Sequence, residues 1–287
     1  MVTVRAGLSN QEGYRHGAAK AKQVLTWRAE LKIPMVSLWW LSTENLAREP
    51  DEVAAVLSVI EEKMSEWLQE GLTERLGIRI RPIGKLELLP ASTLEVLQHA
   101  ETATRDHHGI LVNVGVGYGG RQEIIDAVAS YLSDSFSRGE APEQIVQKLT
   151  PDTRDKYVYT YDCPDPDLII RTSDEVRLSG FMLWQSVYSE FHFSDAYWPA
   201  FRKIDFLSQT RFIFQWLISA RSTIRDLFCN FSFFTSHSGH PKATRWPYLS
   251  IHVTVAIGVA ARSLKDWSLR DSRSGSVTGG TGANTTT

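Results

Sequence analysis

The sequence predicts an α/β fold, a mainly parallel central sheet flanked by helices. Three observations carry that expectation. Residues 35–41 form a run behind Pro34 that is apolar but for Ser37, which suits a strand buried on both faces of a parallel sheet. Further strand-like runs recur at 78–83, 110–116, 168–171 and about 190–193. Most of the stretches between them have helical period, and strands alternating with helices imply a parallel sheet with helical crossovers.

Taken in order, residues 13–31 place Ala18, Ala21, Leu25 and Ala29 in helical spacing. After the 35–41 strand, Ser42, Thr43, Glu44 and Asn45 break the pattern with polar groups. A helix starts at Asp51, with Val53, Val56, Leu57, Ile60, Met64 and Leu68 on one stripe, and Gly77 stops it. Residues 78–83 alternate with arginines as a strand, 91–107 read as a helix and 110–116 as a strand. Gly117-Tyr118-Gly119-Gly120-Arg121 is a glycine-rich turn into a helix over 122–137, whose core face is expected at Ile124, Ile125, Val128 and Leu132. A short helix follows near 142–149, then strands at 168–171 and 190–193. No internal repeat is visible.

The chain divides into a domain over 1–206 and a basic extension over 207–287. Residues 211–234 are apolar and aromatic with scattered arginines and suit one amphipathic helix. From His237 on, Ser, Thr, Gly and basic residues dominate. The last sixteen residues hold four Gly and eight Ser/Thr, too little apolar surface to order a segment, so the tail reads as disordered.

The formal charge of −2 argues against a generic nucleic-acid binder, and no nucleic-acid partner is expected. It hides an asymmetry: 207–287 carry nine Lys/Arg against three Asp/Glu, a net +6, so the preceding residues carry −8. Two cysteines, Cys163 and Cys229, make no disulfide framework and have no metal-ligand spacing around them. The N-terminus shows no apolar signal core. The longest apolar run, 253–261, is far short of the ~20 residues that cross a membrane. Cytoplasmic localisation is the expectation.

Ligands in such sheets sit at the carboxyl ends of the strands. That gathers three loops: 42–48, 117–121 and 171–179. Ser42, Asn45 and Arg48 recur at a spacing of three and would share a face of one helical turn, offering a hydroxyl, an amide and a guanidinium. They equally suit a cap, with Ser42 or Thr43 closing a helix and Arg48 on the surface. The glycine turn could cradle an anion on backbone N–H groups, although it lacks the ending of a P-loop, and most such turns are only turns. Arg171, Arg177 and Ser179 fit a phosphate, since arginine makes forked, charge-assisted bonds. Alone, pairing of the two arginines with Asp174 and Glu175 is the commoner outcome. Glu190, in an aromatic segment, could bind Mg²⁺ beside a phosphate or be a partly exposed acid near His192. Trp39 and Trp40 are core by default, and His107-His108 closes a helix. Taken together, Arg48, Arg121, Arg171 and Arg177 with apolar walls between them indicate a site for diphosphates with hydrocarbon tails.

S-T-E-N-x-x-R at 42–48, G-Y-G-G-R at 117–121, D-P-D-L-I-I-R-T-S at 165–173 and R-L-S-G-F-x-L-W-Q-S-x-Y-S-E at 177–190 resemble the cis-prenyltransferases, the family of undecaprenyl diphosphate synthase and Z-type farnesyl diphosphate synthase. The resemblance spans residues 13–206 in the same order. It implies a homodimer or heterodimer and Mg²⁺-dependent condensation of isopentenyl diphosphate with an allylic diphosphate to a Z-isoprenyl diphosphate. It further implies that Arg171, Arg177 and Ser179 hold isopentenyl diphosphate and that Glu190 contributes to the Mg²⁺ site. Ser42, Asn45 and Arg48 would orient substrate at the reacting carbons, and Gly119, Gly120 and Arg121 would support the phosphate region.

Two departures stand beside the resemblance. The family opens with a strand and a D-G-N-x-R-W loop whose Asp serves Mg²⁺ and the allylic diphosphate, and this sequence starts just beyond it, at Arg5-Ala6-Gly7. Tyr14 also stands where many members have His. Nothing after Phe206 resembles the R-x-x-R-R-F-G segment with which members close. An incomplete or misjoined gene, with a native middle between altered ends, would produce this pattern, and little turnover is expected without the Asp loop. A non-catalytic partner subunit of a prenyltransferase, or an inactive truncated product, is the alternative expectation. Trp40 stands just before the Ser42 motif, where the family carries smaller residues. An indole facing the product tunnel would stop elongation at about the C15 class. The L-S-T-E-N-L and G-Y-R-x-G-A-A-K segments also resemble short-chain members. A lipid product implies work at or near a membrane surface, with 211–234 as a possible contact.

Overall fold

In the computed structural model of this chain the described residues are 10–172, 178–210 and 255–258. A six-stranded sheet of order β2-β3-β1-β6-β4-β5 forms the frame. Helix α1 (Asn10–Glu30) leads into β1 (Met35–Ser42), all eight residues of which are buried. Helices α2 (Pro50–Gln69) and α3 (Leu72–Leu76) precede β2 (Ile78–Ile83). Helix α4 (Ala91–Ala103) precedes β3 (Ile110–Tyr118), and α5 (Gly120–Ser137), α6 (Pro142–Lys148) and α7 (Pro151–Asp155) follow it. The sheet ends with β4 (Leu168–Arg171), β5 (Glu190–Phe193) and β6 (Val255–Gly258). The central run at 35–41, the strands at 78–83 and 168–171 and the strand at 190–193 all stand where their patterns place them.

β1 pairs parallel with β3, β3 with β2, and β4 with β5. β6 runs antiparallel to both β1 and β4, with Met35 opposite Gly258 and Leu168 opposite Ile257. β4 therefore points the same way as β1. Four residues of the extension read as disordered are thus a strand inside the sheet. The apolar run at 253–261 is the signal, since a central strand needs only a few apolar residues once neighbours complete its hydrogen bonds. The amphipathic helix expected over 211–234 lies outside the described residues.

Side chains alternate across a strand, and here the alternation builds two cores. Trp40, Val36, Leu38, Leu168 and Ile170 face one, with α1, α2 and α4 packed over them. Trp39, Ile83, Ile169 and Tyr118 face the other, against Phe181 and Met182.

Three helices depart from their sequence patterns. The helix begun at Pro50 ends at Gln69, not at Gly77, because Gly71 (φ 62°) breaks it and a separate short helix runs on to Gly77 (φ 60°). The 91–107 helix closes at Ala103, where the Thr104 hydroxyl donates to Ala100 O (2.7 Å) and accepts the Ile80 amide (2.9 Å). α5 turns a different face inward. Its buried residues are Gly120, Glu123, Ala127, Tyr131 and Ser135, while Ile125 is 62% exposed. The buried carboxylate of Glu123 is held by three donors, and those bonds, together with the close seat of Gly120, set the rotation of the helix.

Candidate active site

The carboxyl ends of β1, β3 and β4 lie at one edge of the sheet, and the described parts of the three expected loops meet there. Ser42 closes β1 and is buried. Its Oγ accepts the Asn45 amide at 3.1 Å, a local bond that ties Ser42 to the turn that follows, whose cap position is Thr43. That turn is a short 3-10 helix, Glu44–Ala47. The Thr43 amide donates to Tyr118 O at 3.2 Å and ties the loop to β3.

Arg48 follows that turn, half-buried rather than loose on the surface. Its Nη1 donates to Glu52 Oε1 at 2.8 Å, four residues on in the first turn of α2. The Tyr14 hydroxyl donates to the same Oε1 at 3.2 Å. Burial, and then the neighbouring carboxylate, push the Tyr14 phenol well above its ordinary range, so it stays a neutral donor. Glu52 was not singled out from the sequence; its i,i+4 spacing from Arg48 is the signal that could have found it.

In the glycine turn one N–H is already engaged. The Gly120 amide donates to Gly180 O at 2.8 Å, so this N–H is not offered to an anion. A Cβ at Gly119 would lie 2.3 Å from Thr43 Oγ1, and one at Gly120 would lie 2.5 Å from Gly180 O. These two glycines let the 42–48 and 178–186 loops close against the start of α5. Arg121 stands exposed in the first turn of that helix.

At the end of β4, Arg171 is 3% exposed and its Nη1 donates to Ser179 Oγ. The loop bearing Ser179 is conformationally tight: Ser179 (φ 53°), Gly180 (φ 93°) and Met182 (φ 45°) all have positive φ. Glu123 anchors it from below. Its carboxylate accepts Tyr118 OH (2.5 Å), Gln185 Nε2 (3.0 Å) and the Tyr159 amide (3.0 Å), and Tyr118 OH in turn accepts the Met182 amide (3.1 Å). Glu123 was also missed, because the helical pattern around it pointed to apolar neighbours as the core face. Arg177, with Asp174 and Glu175, lies outside the described residues.

Beside Arg48 and Glu52 a narrow apolar cleft of about 20 Å³ lies between α1, β1 and α2. Tyr14, Trp40, Val56, Val59 and Ile60 line it. Tyr14 belongs to both regions: its ring walls the cleft and its hydroxyl joins the Arg48–Glu52 pair.

Glu190 stands apart from this cluster. β4 and β5 pair with Leu168 opposite Glu190 and Arg171 opposite Phe193. Three rungs at about 3.3 Å each put Glu190 about 10 Å along the sheet from Arg171, at the amino end of the pair. It is exposed. Among the described residues no group of three or more His, Cys, Asp or Glu is arranged to hold a metal ion.

The sheet edge thus gathers the buried Arg171, the half-buried Arg48 and the Ser42 and Ser179 hydroxyls, next to an apolar cleft. The family described as "Putative undecaprenyl diphosphate synthase" matches residues 3–219. An isoprenyl transferase of Deinococcus radiodurans is 47% identical over 206 residues, 72% of this chain and 75% of that one. A (2Z,6E)-farnesyl diphosphate synthase of Thermobifida fusca is 49% identical over 207 residues, 72% of this chain and 79% of that one. Among solved structures, lavandulyl diphosphate synthase from Lavandula x intermedia, in complex with dimethylallyl diphosphate, superposes with a TM-score of 0.67 at 27% identity, covering 73% of this chain and 88% of that one. The chain belongs to the cis-prenyltransferase family and is a prenyl transferase.

Proposed function

We propose that this prenyl transferase condenses isopentenyl diphosphate with an allylic diphosphate to a short Z-isoprenyl diphosphate. The supporting observation is the shared wall: one tyrosine, Tyr14, lines the apolar cleft and binds the carboxylate that holds Arg48. A tail in the cleft therefore has its polar head beside Arg48. Asn45 and Ser42 stand on the same turn and orient the reacting carbons.

Arg171 and Ser179, with Arg177, hold the diphosphate of isopentenyl diphosphate; Gly119, Gly120 and Arg121 shape the loop around it. In the reaction the allylic C–O bond breaks with its electron pair leaving on the diphosphate. The double bond of isopentenyl diphosphate supplies the pair for the new C–C bond, and a proton is then lost. Arg48 and Arg171 face the negative charge in a partly buried setting, where fixed donors are most effective. Magnesium takes one or two protein carboxylates and fills its shell with phosphate oxygens and water. Glu190, about 10 Å along the sheet from Arg171, makes no cage with it, so Mg²⁺ would arrive carried by the diphosphate, and when bound the ion would offset the charge of the leaving group.

The cleft is narrow, about 20 Å³, well below the ~300–1,000 Å³ usual for ligand sites, so a tail would have to open it, and Trp40 stands in its wall. The Trp40 indole supports a short product of about the C15 class. Ile125, Val128, Leu132 and Phe136 form an apolar stripe on the outer side of α5, with Ile125 and Phe136 each 62% exposed. That stripe supports assembly as a homodimer or heterodimer. Among the described residues no helix is long and apolar enough to cross a membrane. Work in the cytoplasm at a membrane surface suits the apolar product.

The test is incorporation of labelled isopentenyl diphosphate with C10 or C15 allylic primers, with and without Mg²⁺, on this chain and on a variant extended by a D-G-N-x-R-W loop. Mg²⁺-dependent product from either supports the reading. No product from both overturns it.

A further inference from the structure

The cleft ends on two indoles. Trp40 lines it, and Trp67 stands edge-on behind Trp40, with ring centroids 5.4 Å apart and planes at 81°. Trp67 is completely buried and does not itself line the cleft. The buried stripe of α2 runs Val56, Ile60, Met64, Trp67. The first two members line the cleft, and Trp67 lies seven residues past Ile60, about 10 Å at ~1.5 Å per residue. It marks the inner end.

Among the described residues the Nε1 of Trp67 has no hydrogen-bond partner. A buried indole N–H usually finds one, and leaving it unmade is unfavourable. Leucine or methionine would fill the position without that group, as Met64 does one turn earlier. What a tryptophan adds here is reach and a broad face against Trp40.

We infer that Trp67 is a specificity-determining residue: it holds the Trp40 indole across the inner end of the cleft and forms a second stop behind it. The ligand is the linear hydrocarbon tail of an alkyl or prenyl diphosphate. The inference rests on the reading of the cleft as the hydrocarbon site. Trimming Trp40 alone opens the space only as far as Trp67, and trimming both opens it farther.

Calorimetric binding of saturated n-alkyl diphosphates of graded length tests this without requiring turnover. Each buried methylene tightens binding about fourfold, so Kd falls with length until the tail meets the stop and then levels. The levelling point is expected to move outward in Trp40→Ala and farther in Trp40→Ala/Trp67→Leu. If thermal melts show that Leu at 67 unfolds the protein, Trp67→Met replaces it, since methionine fills irregular space. A double variant that levels where Trp40→Ala levels would overturn the role of Trp67. No levelling point at any length in the parent protein would instead overturn the cleft reading, and a shift combined with no product from either the chain or its loop-extended variant would leave Trp67 in place while removing the proposed reaction.

Discussion

The Gly120 amide donates to the carbonyl of Gly180 at 2.8 Å, and a Cβ on Gly120 would lie 2.5 Å from that oxygen and 2.9 Å from Leu183 Cγ. The start of α5 and the loop bearing Ser179 are therefore seated on each other without room for a methyl group. Gly120→Ala is expected to destabilise by about 1–3 kcal/mol, as overpacking does. Because the displaced loop carries Ser179, the KM for isopentenyl diphosphate should rise by more than its kcat falls. A thermal melt and steady-state kinetics check both, and unchanged kinetics would detach the glycine from the site.

Arg171 and Ser179 separate by the same measurements. Arg171→Ala should lower kcat/KM about 10- to 150-fold, the range for one charge-assisted bond of ~1.5–3 kcal/mol. Ser179→Gly removes the hydroxyl but relieves a residue at φ 53°. It should leave the melting temperature unchanged or raised while weakening isopentenyl diphosphate binding. A lowered melting temperature with intact binding would assign Ser179 to folding alone.

Tyr14 and Arg48 share Glu52 Oε1. Tyr14→Phe should cost about 1 kcal/mol of stability, a typical net hydrogen bond. Glu52→Gln weakens the hold on Arg48 and should lower kcat more than it raises KM. In a double-mutant cycle the two changes should be non-additive, because both act on one carboxylate. Additive effects would contradict a shared role.

Trp40→Ala should lengthen the product by at least one C5 unit, read by chromatography of labelled products. An unchanged product would remove Trp40 from the control of chain length.

Burial lowers the pKa of His192 on β5, with Asp195 pulling weakly the other way. The folded value lies below the unfolded one of about 6.5. Between the two values the unfolded chain binds more protons, so stability is complete above pH ~6.5 and falls as pH drops through the folded value. Denaturant melts from pH 7.5 to 5 should show the loss, and His192→Gln should flatten it.

The strands were legible because their signal is local. A largely apolar run such as 35–41 has few ways to be buried other than as a central strand. The loops were legible too: Ser42, Asn45, Arg48, Arg171 and Ser179 follow strand ends, and parallel strands deliver their ends to one edge. The face of α5 was not legible. Its apolar residues pointed to Ile125, but a single buried carboxylate, Glu123, gathers donors from β3, from residue 159 and from Gln185, and those partners are distant in sequence. Glu52 escaped notice as well, since its role depends on Tyr14 folding back over α2. Glu190 was grouped with Arg171 by sequence, whereas strand pairing sets it at the other end of β4 and β5.

By itself, then, the sequence determined the α/β class, the order of most elements and which polar residues stand at the edge loops. Each of these follows from side-chain period and from residue types within a few positions. Only the tertiary structure decided the inward face of α5, the antiparallel entry of Val255–Gly258 between β1 and β4, and the standing of Trp67 behind Trp40. Those depend on groups far apart in the chain, and a pattern read along the chain does not contain the distance between them.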